Sequence, residues 1–374
     1  MEQNAQRELL AANPEWSVRE LMARLATALA SQGPALSLGQ TSTSLVDGDI
    51  SLVVATTGSS GVAKEVGLSS AALVASAKAS NKYLGASNGD SWSLLLPATH
   101  IAGINVLIRS LELKTEPVDL RKHQGPYPKV DFTAIVPTHL FRALKVDSNL
   151  LKHLVDAKAV LVGGAALSDE LAQQARDAGI NIVTTYGMTE TCGGCVYNAQ
   201  VLDGVEVKIV EEKRIAIKGA VLATSYINAE SEWKKEMHDG WFFTSDFGRI
   251  EDGRLIVEGR VDDVLICGGV NISISAVERF IQNRYPALTF AAFGVKNPEW
   301  GDALHLAIAG DVAANEKEIT EFLVEEFGAV AKPRGFLALT ELPLIGIGKV
   351  DRKKLAELHQ ELSLIHISEP TRPY

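Results

Sequence analysis

Residues 157–187 read AKAVLVGGAALSDELAQQARDAGINIVTTYG and contain the pattern from which the fold class is predicted. Two apolar runs, at 157–164 and 181–187, are each of strand length and are bounded by turn residues. The segment between them, 168–179, has helical spacing, begins with a serine that favours a helix start and ends with a glycine that favours a helix end. Two strands joined through a helix in this way predict parallel pairing within one sheet.

The same alternation extends toward the N-terminus. Further apolar runs and helical patterns follow in the order strand 51–56, helix 69–84, strand 91–97, helix 100–113, strand 131–137 and helix 138–146. Because strands that are apolar along their whole length are covered on both faces, this pattern predicts an α/β fold with mostly parallel sheets between helices. An amphipathic helix is also predicted at 17–30, where Ser17 and Glu20 match a capping box.

The pattern changes near residue 201 and predicts two further regions. Short alternating segments at 205–210, 214–219 and 254–259, with an Asp252-Gly253 turn, indicate a small β-rich region that completes an N-terminal domain of residues 1–260. Residues 363–374 do not continue the last helical pattern, and we interpret them as a non-native tail. A small C-terminal α+β domain is predicted at 261–362, with helix 275–285, strands 288–295 and 303–309, helix 315–327, strand 335–341 and helix 350–362.

Composition and charge limit the classes of function. A net charge of −10 and a pI near 5.4 argue against a general nucleic-acid binder, which usually carries a basic face. The N-terminal segment lacks the pattern of a secretory signal, and no apolar run approaches the ~18 residues of a membrane span, so we expect no membrane insertion. The three cysteines suit a reducing cytoplasm and cannot form a disulfide framework.

Residues 56–64, TTGSSGVAK, form a small polar loop after the strand at 51–56. Hydroxyl and backbone N–H groups in such a loop can hold the phosphates of a nucleotide, and Lys64 adds a positive charge. The Walker pattern is not met, because Ala63 precedes Lys64 and Glu65 follows it, so a surface turn is the alternative interpretation. The candidate phosphate contacts are Thr56, Thr57, Gly58, Ser59, Ser60, Gly61 and Lys64.

Three further stretches carry residues that suit nucleotide chemistry. In TTYGMTETCGG (184–194), Glu190 is a candidate ligand for Mg²⁺, which prefers oxygen donors, and Tyr186 is a candidate to stack on a base. Asp246 and Arg260 offer hydrogen-bonding groups for ribose or phosphate oxygens. Lys349 lies in the glycine-flanked stretch PLIGIGKVDRKKL (343–355). Each stretch taken alone is also compatible with an ordinary surface segment.

Together, the order and spacing of these stretches resemble the adenylate-forming acyl-CoA synthetase superfamily. The sequence TTGSSGVAK is followed by YGMTET, WFFTSD, GRVDDVLICGGVNIS and GIGK, so that the resemblance covers residues 50–360. A chance match to five ordered stretches is far rarer than a chance match to one. The resemblance implies a large N-terminal domain that binds ATP and the acyl group, and a small mobile C-terminal domain.

The resemblance also implies a role for each matched residue. Residues 56–64 correspond to the phosphate loop, Glu190 to the Mg-ATP glutamate and Lys349 to the catalytic lysine of adenylation. Asp262 matches the hinge about which the C-terminal domain rotates. The remaining implied contacts are Gly268 and Gly269 in the loop of the thioester-forming site, and Gly163, Gly164, Ala165, Tyr186, Gly187, Thr189, Asp246 and Arg260 for ATP or AMP.

Several positions depart from the superfamily pattern. The proline that usually precedes the phosphate-loop lysine is Ala63, the glycine that usually precedes the ribose aspartate is Ser245, and Ile274 replaces a usual proline. The segment before Lys349 also lacks the frequent Arg-Thr pair. None of these changes removes a reacting group.

The length of the chain before the phosphate loop bears on the acid substrate. Only residues 1–55 precede the loop, and this short region resembles the compact o-succinylbenzoate–CoA ligases of menaquinone biosynthesis, particularly the short actinobacterial type. His100 lies in LPATHIAGINVL (96–107), which matches a segment that lines the acyl pocket of members acting on aryl acids. A helix-capping histidine is the alternative for His100.

The resemblance implies an acid–thiol ligase that uses ATP, coenzyme A and Mg²⁺. The carboxylate would attack the α-phosphorus of ATP to give an acyl-adenylate and diphosphate, while Glu190-bound Mg²⁺, Lys64 and Lys349 offset the developing charge. The C-terminal domain would then rotate about Asp262, and the coenzyme A thiol would displace AMP.

Other functions remain as alternatives. They are another aryl- or acyl-CoA ligase of the same superfamily, and a non-catalytic nucleotide-binding protein. A kinase is disfavoured without Walker spacing, and a structural zinc at Cys192 and Cys195 is disfavoured because it needs a second pair of ligands. The expected partners are small molecules (an aryl carboxylic acid, ATP and coenzyme A) rather than nucleic acid, and a homodimer is left open.

Overall fold

The structure of the protein, a computed structural model, describes residues 6–56, 63–285, 288–297, 301–310, 316–345 and 349–368. For Asp262, Ile345, Lys349 and residues 362–368 it describes the backbone alone. The chain forms two compact units. The first comprises Met1–Leu167, Leu171–Thr244 and Gly248–Ile256, and the second comprises Ser168–Glu170, Ser245–Phe247 and Val257–Tyr374.

The elements alternate between strands and helices over much of the chain. In chain order the strands are β1 (Gln6–Ala11), β2 (Ala35–Leu38), β3 (Leu45–Asp47), β4 (Ile50–Thr56), β5 (Lys64–Ser69), β6 (Trp92–Leu94), β7 (Val118–Asp119), β8 (Phe132–Ile135), β9 (Ala159–Val162), β10 (Ile182–Met188), β11 (Gly193–Tyr197), β12 (Gln200–Val201), β13 (Val205–Ile209), β14 (Arg214–Gly219), β15 (Ser225–Tyr226), β16 (Met237–His238), β17 (Trp241–Glu251), β18 (Arg254–Arg260), β19 (Val264–Cys267), β20 (Val270–Ser273), β21 (Thr289–Asn297), β22 (Gly301–Ala309), β23 (Phe336–Leu339), β24 (Leu344–Ile345) and β25 (Lys349–Val350). The α-helices are α1 (Val18–Leu29), α2 (Ser70–Tyr83), α3 (Ile101–Glu112), α4 (Pro137–Lys145), α5 (Ser148–Asp156), α6 (Asp169–Asp177), α7 (Glu230–Glu236), α8 (Ile274–Arg284), α9 (Glu316–Phe327) and α10 (Arg352–Ser368).

The first unit contains two large sheets. One has the strand order β15-β5-β4-β2-β1-β3, and the other has the order β12-β11-β10-β9-β8-β6-β7. In the second sheet β10, β9, β8, β6 and β7 pair in parallel. Parallel strands are buried on both faces, which agrees with the complete burial of β8 and β9. The predicted α/β fold with helix-covered sheets is therefore confirmed.

Local signals in the sequence have the expected structural outcomes. The Ser17 side chain accepts a hydrogen bond from the Glu20 N–H, and the Glu20 carboxylate accepts one from the Ser17 N–H, which confirms the capping box at α1. Strands β17 and β18 pair, and the turn between them has positive φ at Asp252 (49°) and Gly253 (72°). Both residues of a tight hairpin turn of this kind need positive φ, which explains the Asp-Gly pair.

Several elements differ from the expectation. Strand β5 follows the glycine loop directly and pairs antiparallel with β4, and β11 adds antiparallel to β10, so that each large sheet is mixed. Helix α5 was not predicted, because the polar residues of its Asp147 cap resemble a loop; the Asp147 carboxylate accepts a hydrogen bond from the Leu150 N–H. Helix α10 continues to Ser368, so the predicted end of the helical pattern at residue 362 is wrong.

The second unit has its own sheet and core. Its strands pair in the order β20-β19-β22-β21, and β23 adds parallel to β22. Buried side chains of α8, α9 and this sheet, including Val277, Ile281 and Leu323, form one apolar cluster, and Leu355 of α10 belongs to a second. Within the part of the chain that the structure describes, no helix is long and apolar enough to cross a membrane.

Candidate active site

The two ends of the predicted phosphate loop are held together by a hairpin. Strands β4 and β5 pair so that Thr56 lies opposite Lys64, and the Thr56 hydroxyl donates a hydrogen bond to the Lys64 carbonyl (3.2 Å). The loop predicted as a phosphate cradle therefore connects the end of β4 to the start of β5, two neighbouring strands of one sheet. Its residues Thr57, Gly58, Ser59, Ser60 and Gly61 lie outside the described residues.

Asn228 fixes the backbone on either side of Lys64. Its amide nitrogen donates to the Ala63 carbonyl (2.8 Å), and its amide oxygen accepts from the Glu65 N–H (3.0 Å). The buried Glu65 carboxylate accepts from the Ser42 N–H (2.6 Å). These contacts hold the start of β5, so that the Lys64 side chain leaves the backbone from a defined position.

Glu190 lies in a short 3₁₀ turn that follows β10. The Thr191 hydroxyl accepts from the Met188 N–H (2.9 Å) and donates to the Gly193 carbonyl (2.7 Å), which closes this turn. The Glu190 carbonyl accepts from the Ala223 N–H (2.7 Å), and its carboxylate Oε1 accepts from the Tyr226 hydroxyl (2.7 Å). Both backbone and side chain of Glu190 are thus tied to the segment that leads into β15.

The structure brings Lys64 and Glu190 to the same tyrosine. The Lys64 Nζ lies 4.7 Å from the centroid of the Tyr226 ring and 3.0 Å from Glu232 Oε2. Burial, and next the negative charge of Glu190, raise the pKa of Tyr226. Its hydroxyl therefore keeps its proton and acts as the donor to Glu190. Sequence reasoning missed Tyr226 because an isolated tyrosine in a two-residue strand carries no periodic signal.

The predicted adenine-side residues follow the carboxyl ends of two neighbouring strands. Residues 163–165 (Gly163, Gly164 and Ala165) come directly after β9, and Tyr186, Gly187 and Thr189 end or follow β10, which pairs in parallel with β9. In open α/β sheets, this edge is where ligands bind. The structure therefore brings both groups to one edge, as the sequence resemblance requires.

Two of these glycines lie where a larger residue would collide. A Cβ atom at Gly163 would lie 2.1 Å from the Thr185 hydroxyl, and one at Gly187 would lie 2.0 Å from the Gly193 carbonyl. Gly164 has a φ of +81°, which side-chain-bearing residues rarely adopt. The Thr185 side chain leaves no room for a Cβ at residue 163, and the β11 backbone leaves none at residue 187.

Asp246 and Arg260 lie on paired strands and face each other. The Asp246 side chain is 8% exposed, and its Oδ1 lies 3.6 Å from Nη1 of Arg260, which is 48% exposed. A buried carboxylate with an adjacent guanidinium provides acceptors and donors side by side. That these two residues contact a ribose stays a prediction.

His100 stands at the N-cap position of α3. Its Nδ1 lies 3.0 Å from the Thr99 hydroxyl, and within the described residues its side chain makes no capping hydrogen bond. The alternative of a helix-capping side chain is therefore not supported. A contact of His100 with the acyl group stays a prediction.

Four further predicted residues of the second unit are placed here by their backbone positions. Gly268 and Gly269 form the two-residue turn between β19 and β20, with φ of 58° and 82°. Asp262 lies in the short 3₁₀ turn Val261–Asp263, and Lys349 begins β25 opposite Ile345. The side chains of Asp262 and Lys349 lie outside the described residues.

The buried cysteines do not form a metal site with the acidic groups of the described residues. Cys192 and Cys195 are buried and unbridged, and burial raises the pKa of the Cys192 thiol. Within the described ranges, no group of three or more His, Cys, Asp or Glu side chains is placed to hold a metal ion. A site built from protein ligands alone is therefore not present in that part of the chain.

A family model described as "AMP-binding enzyme" matches residues 4–221 of this chain. A "Probable 2-succinylbenzoate--CoA ligase" of Mycobacterium tuberculosis strain CDC 1551 is 35% identical over 328 residues, which cover 83% of this chain and 85% of that protein.

Two solved structures are also similar. Wild-type Escherichia coli MenE with a bound analogue of OSB-AMS has a TM-score of 0.67 and 26% identity, and the match covers 95% of this chain and 82% of that one. The o-succinylbenzoate CoA synthetase MenE from Bacillus subtilis, in complex with the acyl-adenylate intermediate OSB-AMP, has a TM-score of 0.73 and 23% identity, and the match covers 93% and 82%. At that identity, the Bacillus likeness shows the fold.

Proposed function

Because this chain belongs to the AMP-binding enzyme family, we propose that it is an AMP-forming carboxylate–CoA ligase that acts on o-succinylbenzoate. The reaction would convert o-succinylbenzoate, ATP and coenzyme A into o-succinylbenzoyl-CoA, AMP and diphosphate, a step of menaquinone biosynthesis. Membership of this family confirms the resemblance to adenylate-forming enzymes that was inferred from the sequence motifs. The substrate is supported by the name of the relative that is 35% identical over most of both chains.

The observation that carries the proposal is that Lys64, at the end of the glycine loop, and Glu190 both contact Tyr226. A cation and a carboxylate that share one tyrosine, next to a loop rich in N–H and hydroxyl groups, suit a triphosphate and its counter-ion. Attack of a carboxylate on the α-phosphorus increases the charge on the phosphate oxygens. The Lys64 ammonium would stabilise that charge more in the transition state than in the ground state.

The Glu190 carboxylate suits a Mg²⁺ site in which the nucleotide supplies some of the ligands. Mg²⁺ is commonly bound by one or two carboxylates, phosphate oxygens and water rather than by a cage of protein ligands. The Glu190 carboxylate is half-buried, and the hydrogen bond from Tyr226 engages its Oε1. Glu190 would hold the ion, and Mg²⁺ bound there would neutralise charge on the triphosphate.

The second half-reaction rests on the second unit and on the sequence resemblance. Lys349 would serve adenylation, and rotation about Asp262 would replace it with the loop that contains Gly268 and Gly269. The thiol of coenzyme A would then attack the acyl-adenylate, and AMP would leave. Asp246 and Arg260 would hold the ribose in both steps.

The test is a panel of carboxylic acids with ATP and coenzyme A, with product identity as the readout. We expect AMP and diphosphate, and far faster turnover of o-succinylbenzoate than of long-chain fatty acids or simple benzoates. Equal or faster turnover of a long-chain acid would contradict the substrate and favour another acyl-CoA ligase of the family. ATP binding without turnover of any acid would favour a nucleotide-binding protein, and release of ADP would contradict adenylation.

We also propose a cellular location for the reaction. The partners would be small molecules in the cytoplasm, where unbridged cysteines such as the three buried ones here are stable. Fractionation of the native organism, followed by the ligase assay, tests this location.

A further inference from the structure

We infer that Tyr226 is a positioning residue that orients Glu190 for the metal and Lys64 for the triphosphate. This inference rests on the proposed function, because it assigns those two roles to Glu190 and Lys64. Tyr226 itself would touch neither the reacting phosphorus nor the acyl group. It contacts both Glu190 and Lys64, the two residues that would stabilise charge in the first half-reaction.

The hydroxyl acts on Glu190. It donates to Oε1 at 2.7 Å, and among the described residues no protein partner is assigned to Oε2. The donation restricts rotation of the carboxylate and leaves Oε2 as the oxygen for the cation. Groups that hydrogen-bond a metal ligand orient it in this way, and their loss weakens metal affinity even though they do not touch the ion.

The ring acts on Lys64. The Nζ atom lies 4.7 Å from the ring centroid, within the range of a cation–π contact. The same ammonium pairs with Glu232 at 3.0 Å, a carboxylate on α7 that is half exposed. The aromatic face therefore holds the Lys64 ammonium against Tyr226, the residue that also donates to Glu190, while the half-exposed ion pair with Glu232 contributes little because water screens it.

The position of the Tyr226 ring is set from two directions. The Tyr226 backbone pairs with Val66 of β5, two residues beyond Lys64. This strand pairing fixes the position of Tyr226 along β5. The ring also packs edge-on against Trp233 at 5.1 Å, and Trp233 stacks on Phe242 at 5.2 Å. A ring held by a strand pair and by Trp233, which Phe242 supports in turn, can hold other groups in place.

The two contacts can be separated by substitution. Tyr226→Phe keeps the ring over Lys64 and the packing on Trp233, and it removes only the hydrogen bond to Glu190. Tyr226→Leu removes both contacts. Tyr83→Phe is the matched control, because Tyr83 of α2 packs on Tyr197 and contacts neither Glu190 nor Lys64.

The measurement is calorimetric binding of ATP at a series of MgCl₂ concentrations and with EDTA, together with the Mg²⁺ dependence of diphosphate release. For Tyr226→Phe we expect the half-saturating Mg²⁺ concentration to rise about tenfold, the scale for loss of a group that supports a metal ligand. Its ATP affinity in EDTA should stay within about twofold of wild type. Tyr226→Leu should in addition weaken ATP binding in EDTA about fivefold, because the cation–π contact is lost.

Two results would overturn the inference. One is an unchanged Mg²⁺ dependence in a Tyr226→Phe protein that melts like wild type. The other is an equal effect of the Phe and Leu variants on both measurements, as expected of a residue that only packs. Because calorimetry uses ATP and MgCl₂ without any acid, a failure of o-succinylbenzoate as substrate would be seen separately.

Discussion

Arg352 and Glu278 form a hydrogen-bonded ion pair in the second unit, with Nη2 of the arginine 2.8 Å from Oε2 of the glutamate. Each also binds the same backbone residue: Arg352 Nε donates to the Ala292 carbonyl (3.0 Å), and Glu278 Oε1 accepts from the Ala292 N–H (2.9 Å). A second, longer ion pair joins Arg352 to Asp263 (3.8 Å). Arg352 thus connects the start of α10 to α8, β21 and the turn that contains Asp262.

We expect Arg352→Met to destabilise the second unit. Loss of one partner from a fully buried pair costs about 3–5 kcal/mol, but Arg352 and Glu278 are 30% and 25% exposed, so we expect about 1–2 kcal/mol. Urea unfolding would measure the change. Lys354→Met is the matched control, because Lys354 on the same helix forms a more exposed pair with Glu357. Equal losses in the two variants would show that the Arg352–Glu278 pair adds no more stability than the exposed Lys354–Glu357 pair.

We expect Glu190→Gln to slow adenylation by about 10²-fold or more, the scale for loss of one well-placed electrostatic group. The amide keeps the shape and can still accept from Tyr226, so the fold should be retained. Diphosphate release with saturating ATP and acid is the readout. Glu212→Gln, at an exposed position in the turn between β13 and β14, serves as the control. Activity within a factor of two of wild type would mean that Mg²⁺ is held elsewhere.

We expect Lys349→Ala to affect only one half-reaction. A cation that reaches the site during adenylation stabilises the transition state of that step, so diphosphate release should fall by about 10²-fold or more. Thioester formation from preformed acyl-adenylate and coenzyme A should stay near the wild-type rate. Lys353→Ala, an exposed neighbour on α10, should leave both steps unchanged. If Lys349→Ala slowed both steps equally, domain alternation would be wrong for this protein.

We expect Asp262→Pro to have the opposite effect. Proline fixes φ near −65° and stiffens the joint, so adenylation should persist while thioester formation falls. Asp262→Ala leaves the backbone free to rotate and is the control for loss of the side chain. A proline variant with normal thioester formation would place the rotation at another residue.

We expect the second unit to lose stability on acidification. Burial, and next the charge of His359, lower the pKa of His305 to about 4, and the two rings lie 4.2 Å apart. Between about pH 6.5 and 4 the unfolded chain binds a proton at this position that the folded chain does not, so the free energy of unfolding falls as the pH is lowered through that range. Lowering the pH from 7 to 5 should cost about 2 kcal/mol from this site.

Urea unfolding at the two pH values would check this expectation. His305→Phe keeps an aromatic ring beside Phe293 and should flatten the pH dependence. His238→Gln, at an exposed position in the first unit, is the control. The same slope in the wild type and in His305→Phe would assign the acid sensitivity to other groups.

Much of the fold could be predicted from short-range patterns. The capping box of Ser17 and Glu20, the Asp252-Gly253 turn and the alternation of β9, α6 and β10 all depend on residues a few positions apart. Local backbone preferences and hydrophobic periodicity act at this range, so such signals can be read before any tertiary contact is known. Glu190 and Lys64 were identified differently, from the order of several motifs that together resemble the adenylate-forming superfamily.

The contacts that join those residues could not be read from the sequence. Tyr226 lies 36 residues from Glu190, and Asn228 lies 165 residues from the Ala63 carbonyl that it binds. These residues meet because β15 adds to the free edge of β5, with Tyr226 opposite Val66. Strand pairing between distant segments depends on the edges that the rest of the chain leaves open. Local patterns and motif order were therefore enough to predict most of the strands and helices and the candidate reacting groups, whereas the side chains that hold those groups in place follow from tertiary strand pairing.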